Sequence, residues 1–548
     1  MKSGRYYVRF FYTLCLTAAV SLLFVQCKNI FRPDIRDLVS QVEVIHAKVP
    51  MFLGESNEKL VTVRFGVTET ERIPVLERIK VVFDGESDLS GIESVQAVCS
   101  GGQLPEFGSA APVGGEVVIN GNRELSGDSV FLSFNFTLKP DASLLTRFEI
   151  QQIELSFKNH TPLTIDSLER YMNRAALLLR KAGQDSCDTY RIPGLVTTNQ
   201  GTLIAVYDNR YNNSKDLQED IDIGMSRSTD GGQTWEPMRV ILDMGEYGGK
   251  SQRLNGVGDP CLLYDPATHT LWVAALWMSG SAPDQMLWWA SKPGMKSDET
   301  GQFVLVKSAD DGLTWSDPIN ITSQIKDPAW QLLLQGPGRG ITTSKGILVF
   351  PAQFKADIGE KALDGGTYTC HSTVVISSDG GQSWQIGTGA KSNTTEAQVV
   401  ELADGRLMLN MRDDRNRKDK GATNGRAVAV TSDLGKTWEV HPSSNSALPE
   451  PNCMASLIAA DVTIGGEKQQ VLFFSNPHSK TERNHMTIKA SLDGGMTWPA
   501  ACQIELNAAN GFGYSCMTMV DENTVGILYE GTKDLIFQKV PVHEFFKP

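Results

Sequence analysis

One eight-residue pattern recurs five times along this 548-residue chain and restricts its fold more than any other feature. The pattern is Ser/Thr-x-Asp-x-Gly-x-Thr/Ser-Trp, read at Ser228 to Trp235, Ser308 to Trp315, Ser377 to Trp384, Thr431 to Trp438 and Ser491 to Trp498. Each copy follows a short apolar run such as Val374-Val375-Ile376 or Val428-Ala429-Val430. These are the residues of a tight hairpin turn. The Asp carboxylate can accept turn amides, Gly supplies a positive φ, and the hydroxyls bond local backbone. The Trp then folds back onto the sheet. Successive Asp positions (230, 310, 379, 433 and 493) are spaced about one four-stranded sheet apart. Repeats of that size stack radially, so an all-β chain containing a β-propeller is expected.

Upstream of the repeat, a different periodicity holds. Val61, Val63, Phe65 and Val67 alternate with polar or small residues, as do Ile79, Val81 and Phe83. The same alternation marks Val130 to Leu138 and Ile153 to Phe157. A period of two is that of a half-buried strand, and turns at Asp84-Gly85 and Gly121-Asn122 are expected to separate the runs. An antiparallel β-sandwich over residues 28–175 is the simplest reading, either a sugar-binding module or a spacer. The boundary falls in an ambiguous stretch: Leu168, Tyr171, Met172, Ala175 and Leu179 fit one helical face, yet Ala175 to Leu179 also reads as a buried strand. The repeat-bearing domain then covers 176–548.

Residues 1–27 read as an export leader. Lys2, Arg5 and Arg9 precede an apolar run from Phe10 to Val25 that is short for a spanning helix. Cys27, directly after that run, resembles a bacterial lipoprotein site, with ordinary cleavage and secretion as the other reading. Either places the mature chain outside the cytoplasm, as a periplasmic, surface-anchored or secreted protein.

A formal net charge of -13 excludes the electrostatic footprint of a nucleic-acid binder. It also means that an anionic ligand must be held by a local cluster of cations. The nine cysteines form no CxxC and no Cys/His cluster, so neither a metal site nor a redox motif nor an essential disulfide is expected. Gly336-Pro337-Gly338-Arg339-Gly340 is glycine-rich, but Pro interrupts it and no Lys-Ser/Thr follows, so it reads as a plain loop between strands near the rim of the site.

The five boxes resemble the Asp-boxes of the bacterial exo-sialidase family, and residues 176–548 resemble its six-bladed catalytic propeller. The boxes give fold and not function. Other positions carry the functional resemblance. Tyr190-Arg191-Ile192-Pro193 resembles the family's Arg-Ile-Pro signature, while Arg412 in Leu409-Asn410-Met411-Arg412 and Arg483 after Ser475-Asn476-Pro477-His478 stand in matching surroundings. The resemblance implies that these three arginines grip a sialic-acid carboxylate. A guanidinium fork pairs bidentately with a planar carboxylate and stays charged at any relevant pH. Taken singly, each is as easily a salt-bridged surface residue.

The same resemblance implies the catalytic groups. Tyr514, in Gly511-Phe512-Gly513-Tyr514-Ser515, matches the nucleophile and Glu396, in Asn393-Thr394-Thr395-Glu396, its base. A carboxylate nucleophile would be repelled by the substrate's own carboxylate on the anomeric carbon. A neutral phenol is not, but with an ordinary pKa near ~10 it needs a base. Asp216 matches the acid/base that serves the leaving oxygen and then water, with Asp220 and Asp222 as rivals. Arg210 and Asp259 match substrate-contacting positions, and Glu530 matches the carboxylate that orients the first arginine. No cofactor or metal is implied. The implied partners are sialylated glycans, and a monomer is expected. Two alternatives stay open: a sialic-acid-binding propeller without turnover, and a transglycosylating or related acidic-sugar glycosidase.

Overall fold

The computed structural model describes residues 32–68, 73–100, 106–283 and 285–547, so the expected leader and Cys27 lie outside the described residues. The fold is all-β, and no described helical segment exceeds the five residues of Val542–Phe546. The chain divides into two compact units. The first comprises the chain up to His46, Asn57–Thr137 and Phe148–Tyr171; the second comprises Ala47–Ser56, Leu138–Arg147 and Met172–Pro548.

The first unit contains two sheets. One runs Val39–His46, Ser56–Val67, Val130–Leu138, Ile92–Cys99, Glu106–Ala110; the other runs Leu163–Ile165, Ile150–Phe157, Val75–Phe83, Glu116–Glu124. The alternating apolar residues read from the sequence all point inward: Val61, Phe65, Ile79, Phe134 and Leu155 are each at most 1% exposed. Phe83 of one sheet meets Phe136 of the other edge to face, with ring centroids 6.4 Å apart. The turn expected at Gly121-Asn122 is absent, because both residues lie inside the strand Glu116–Glu124. Gly121 serves close packing there: a Cβ would come within 2.7 Å of the Phe107 ring.

In the second unit the described residues form six sheets. Their innermost strands are Thr189–Thr197, Val257–Asp265, the short pieces Leu332–Gln335 and Ile341–Thr342, Thr394–Glu401, Ser456–Ile464 and Ser515–Asp521, each paired antiparallel to the long strand that follows. Hydrophobic clusters join each sheet to the next. Val206 and Val273 share one, Leu263 and Phe350 the next, and Val374 and Leu409 a third. The series continues through Val428 with Leu472, and Phe473 with Ile527. Leu528 and Tyr207 then join the last sheet to the first, and the circuit closes.

Strand pairing closes the circuit as well. The strand Asn173–Arg180 pairs antiparallel with Leu535–Pro541, Leu177 lying opposite Phe537, so the beginning of the unit completes the sheet that its end begins. The boundary expected after 175 therefore falls inside a strand, and the ambiguous Ala175 to Leu179 run is strand because its backbone finds this partner. The same fact explains why six sheets carry five boxes. Each box turns the chain from the third strand of a sheet into the fourth, and in the last sheet that fourth strand arrives from elsewhere in the chain.

The boxes themselves are nearly superimposable in bonding. Asp230 accepts from Ser228 Oγ at 2.8 Å, Thr234 N at 2.9 Å and Thr234 Oγ1 at 2.6 Å. Asp433 accepts from Thr431, Thr437 N and Thr437 Oγ1 at 2.8, 2.9 and 2.7 Å. Each box glycine sits at a φ between 82° and 86°, where an L side chain is strained. Bonds from the Ser383 hydroxyl and amide hold Asp379 down at about 2, and the Thr437 amide and hydroxyl do the same for Asp433. At Asp310 burial opposes the bonds from Thr314, which still prevail to about 2.

A folded-state value below the unfolded one stabilises above the unfolded pKa of ~3.9, and that stabilisation is lost as pH falls towards the folded value. The triple variant Asp310→Asn, Asp379→Asn, Asp433→Asn should therefore melt lower at about pH 7 yet lose less stability between about pH 5 and pH 2. Circular-dichroism melts across that range check it; parallel curves for the two proteins would rule it out.

Candidate active site

Three of the inner strands carry a bulge at the same end. Pairing slips between Arg191 and Gly194, between Gly258 and Cys261, and between Thr394 and Ala397. Bulges re-aim side chains, and here they turn Arg191, Asp259 and Glu396 towards one region. Ile192 and Asp259 pay with φ values of +58° each, a strained setting for residues with a Cβ. Loops supply the rest: Asp216 after Leu203–Arg210, Arg483 after Glu467–Pro477, and Tyr514 just before Ser515–Asp521.

Tyr514 is the centre of the arrangement. It is 6% exposed, and its hydroxyl donates a very short hydrogen bond to Glu396 Oε1. Arg412 Nη1 lies 2.5 Å from Glu396 Oε2 and 3.1 Å from the Tyr514 hydroxyl. The guanidinium carbons of Arg191 and Arg483 stand 5.2 and 5.7 Å from the Tyr514 ring centroid. Three arginines far apart in sequence thus surround one phenol.

Each arginine is held differently. Glu530, fully buried, accepts from Arg191 Nε at 3.0 Å and from the Ile192 and Tyr514 amides at 2.9 Å. One carboxylate therefore fixes both the first arginine and the backbone of the tyrosine. Arg412 leans on Glu396 and on Asn452 Oδ1 at 3.1 Å. Among the described residues Arg483 donates to the Phe512 and Asn452 carbonyls alone, at 2.9 and 3.4 Å.

Asp216 is about half exposed and accepts from Arg210 at 2.8 Å and Arg191 at 3.4 Å. Arg210 is 1% exposed and packs under the site against Asp208, to which it donates at 2.8 and 3.1 Å. It was expected at the site's lining; instead it positions Asp216 from beneath. Asp208 also accepts from the Asp259 amide at 2.9 Å. The rivals to Asp216 lie elsewhere: Asp222 is buried and bonded to Tyr211 at 3.0 Å, and neither it nor Asp220 lines the cavity. That cavity measures about 360 Å³ and is lined by Asp216, Asp259, Glu396, Arg412 and Tyr514 on one side and by apolar residues including Trp288 on the other.

The electrostatics separate proton holder from proton acceptor. Burial and the neighbouring Glu396 push Tyr514 well above the usual phenol range, although Arg412 and Arg483 pull the other way. For Glu396, burial favours the acid, but Arg412, the Tyr514 hydroxyl and Arg483 outweigh it and keep the carboxyl below its ordinary value. The resting pair is a neutral phenol beside a carboxylate. For Asp216, half exposed, partial desolvation is outweighed by Arg210 and Arg191, which keep its carboxyl below the ordinary value. Asp259 goes the opposite way, raised by burial and by Asp208 and Asp216. Among the described residues no cluster of His, Cys, Asp and Glu could hold a metal ion.

Asp208, Asn452 and Trp288 escape a sequence reading. Asp208 differs from any strand aspartate only in lying two residues before Arg210, and Asn452 sits in a loop with a φ of +60° that nothing local announces.

The fold and this site define a class on comparison. The model of the BNR repeat-like domain matches residues 201–527. A Bacteroides fragilis sialidase is 47% identical over 79% of this chain and 77% of its own length. A Micromonospora viridifaciens sialidase is 32% identical over 64% of this chain and half of its own. The solved structure of a Hadza microbial sialidase superimposes with a TM-score of 0.78 at 40% identity, covering 91% of this chain and 99% of the other. The chain belongs to the sialidase family of glycoside hydrolases.

Proposed function

We propose that this chain is an exo-sialidase that hydrolyses terminal α-linked sialic acids of glycoconjugates with retention, through Tyr514 as nucleophile. The observation that carries the mechanism is the Tyr514 hydroxyl shared between Glu396 and Arg412, with Arg191 and Arg483 flanking the ring. The arginines receive the substrate carboxylate, which fixes the sugar over the phenol. Glu396 takes the phenolic proton as the oxygen attacks the anomeric carbon, forming a glycosyl-tyrosine. Asp216 delivers a proton to the departing glycoside oxygen. Water, deprotonated by Asp216, then attacks the same carbon and the phenolate leaves, recovering its proton from Glu396.

Asp216 is held as a carboxylate by Arg191 and Arg210 before substrate arrives. Neutralisation of Arg191 by the substrate carboxylate removes part of that hold and raises its affinity for the proton it must deliver. Wild type should release free sugar from a sialoside with an alkyl aglycone, and Asp216→Ala should lose about 10²–10³-fold in turnover. With an acidic aryl leaving group that needs no proton the loss should be far smaller. Equal losses on both substrates would remove Asp216 from this role. Binding without any release by wild type would favour a sialic-acid-binding propeller instead.

The second unit is read as a six-bladed propeller, supported by six sheets whose clusters close a circuit, and the first as a β-sandwich, supported by Phe83 and Phe136 meeting between its two sheets. The basic and apolar residues of 1–27 support export, with Cys27 as the candidate anchor, and the chain is read as a monomer acting on sialylated glycans.

A further inference from the structure

The inner strands that present catalytic side chains at one end line a second cavity at the other. Thr189–Thr197 carries Arg191 near its start and Val196 near its end; Thr394–Glu401 carries Glu396 and then Val400. At ~3.3 Å per residue, the two sets stand more than about 10 Å apart along the strands. The second cavity measures about 420 Å³, and Val196, Ile341, Val400 and Leu457 give it apolar walls. Arg339, from the glycine-rich segment that the catalytic reading left as a plain loop, reaches into it.

Arg339 is anomalous among the arginines of this unit. Arg191 pairs with Glu530, Arg210 with Asp208, Arg412 with Glu396 and Arg426 with Glu450. Arg147 and Arg174 share Glu544, Arg180 pairs with Asp185 and Arg227 with Asp311. The surface arginines 239, 253, 406, 415 and 417 are paired likewise. Among the described arginines of this unit only Arg483 and Arg339 have no carboxylate partner. Arg339 Nη1 donates to the Met517 carbonyl at 3.2 Å, and its buried Nε–H has no partner among the described residues. The two acids of the cavity lining are committed elsewhere, Glu401 to Ser344 at 2.6 and 2.8 Å and Asp461 to Lys468 at 3.6 Å.

Arg339 is partly buried, and a guanidinium partly withdrawn from water without a counter-charge is costly and does not lose its proton to escape the cost. Burial does pull Arg339 down, with only the Cys516 and Cys261 thiols in opposition. The Nε–H edge is the edge that accepts a carboxylate side-on.

We propose that Arg339 forms a second anion site, distinct from the catalytic cavity, for a monovalent carboxylate with a short apolar body. The carboxylate sits on the guanidinium and the body against Val196, Ile341, Val400 and Leu457. Sodium butyrate is the probe, with sodium chloride at equal ionic strength as the arm that separates a carboxylate from any small anion. Thermal melts of the full chain should show a saturable rise with butyrate, about 2 °C or more at tenfold the dissociation constant, and a much smaller rise with chloride.

The butyrate response should persist in Arg483→Met, where the catalytic site has lost one of its three arginines, and vanish in the double variant Arg339→Met, Arg483→Met. Identical responses in Arg483→Met and the double variant overturn the site, and equal responses of Arg483→Met to the two anions overturn the carboxylate assignment. Should the double variant fail to fold, saturation-transfer NMR on Arg483→Met decides: transfer to the butyrate methyl supports the site, and none overturns it. The catalytic reading can fail without touching this result, since Arg339 takes no part in it.

Discussion

Tyr514→Phe should turn over sialosides at least about 10³-fold more slowly than wild type while binding free sialic acid with little change. The substitution removes one oxygen atom and nothing else. The ring remains between Arg191 and Arg483, and the Tyr514 amide still reaches Glu530 at 2.9 Å. Glu396 keeps Arg412 as partner. What disappears is the atom that must bond to the anomeric carbon, so the loss falls on kcat and not on affinity. Steady-state rates on a fluorogenic sialoside and calorimetric titration with sialic acid separate the two. A variant that works as fast as wild type would end the tyrosine mechanism, and Glu396 or a water would have to attack directly.

Arg483→Met should lower kcat/KM by about 10²–10³-fold, mostly through KM. Of the three arginines around Tyr514 it is the one with no ion pair among the described residues, so its charge has no carboxylate to give up when a substrate carboxylate arrives. The same truncation at Arg191 would strand Glu530, fully buried, and confuse binding with folding. The decisive measurement compares a sialoside with its methyl ester. Wild type should strongly prefer the acid, and Arg483→Met should narrow that preference. An unchanged preference would place the carboxylate somewhere other than Arg483.

The sequence made the architecture readable where a physical period repeats. Five boxes announce five turns because each needs an acceptor, a hydroxyl and a positive φ in fixed order, and the inward side chains of Ser56–Val67 and Val130–Leu138 follow the pleat. Gly121 misled because glycine answers to two demands, a turn or a close approach, and only the position of Phe107 separates them. Leu138–Arg147 was equally hidden: its membership of the second unit rests on contacts such as Gln233 bonding the Ala142 carbonyl at 2.8 Å, across a long gap in the chain.

The candidate site was legible as residue types in matching surroundings, but the division of labour was not. Nothing in the string of letters distinguishes Arg210, sealed beneath Asp216, from Arg412 at the cavity wall. That difference lies in Asp208, which anchors Arg210 with two of its donors. Likewise the dependence of Tyr514 on Glu530 runs through a backbone amide, a contact no side-chain pattern encodes.

The strand Asn173–Arg180 completing the sheet of Leu535–Pro541 has a consequence for biogenesis. Most of a growing chain can settle sheet by sheet as it is synthesised, but the circuit of sheets cannot close until Leu535–Pro541 has left the ribosome. Until then Leu177 and Leu178 of the waiting strand have no partner on that edge, although Ala175 and Ala176 already have Met51 and Phe52 on the other. Loss of Leu535–Pro541 would therefore leave not a slightly shorter enzyme but a sheet without its clasp.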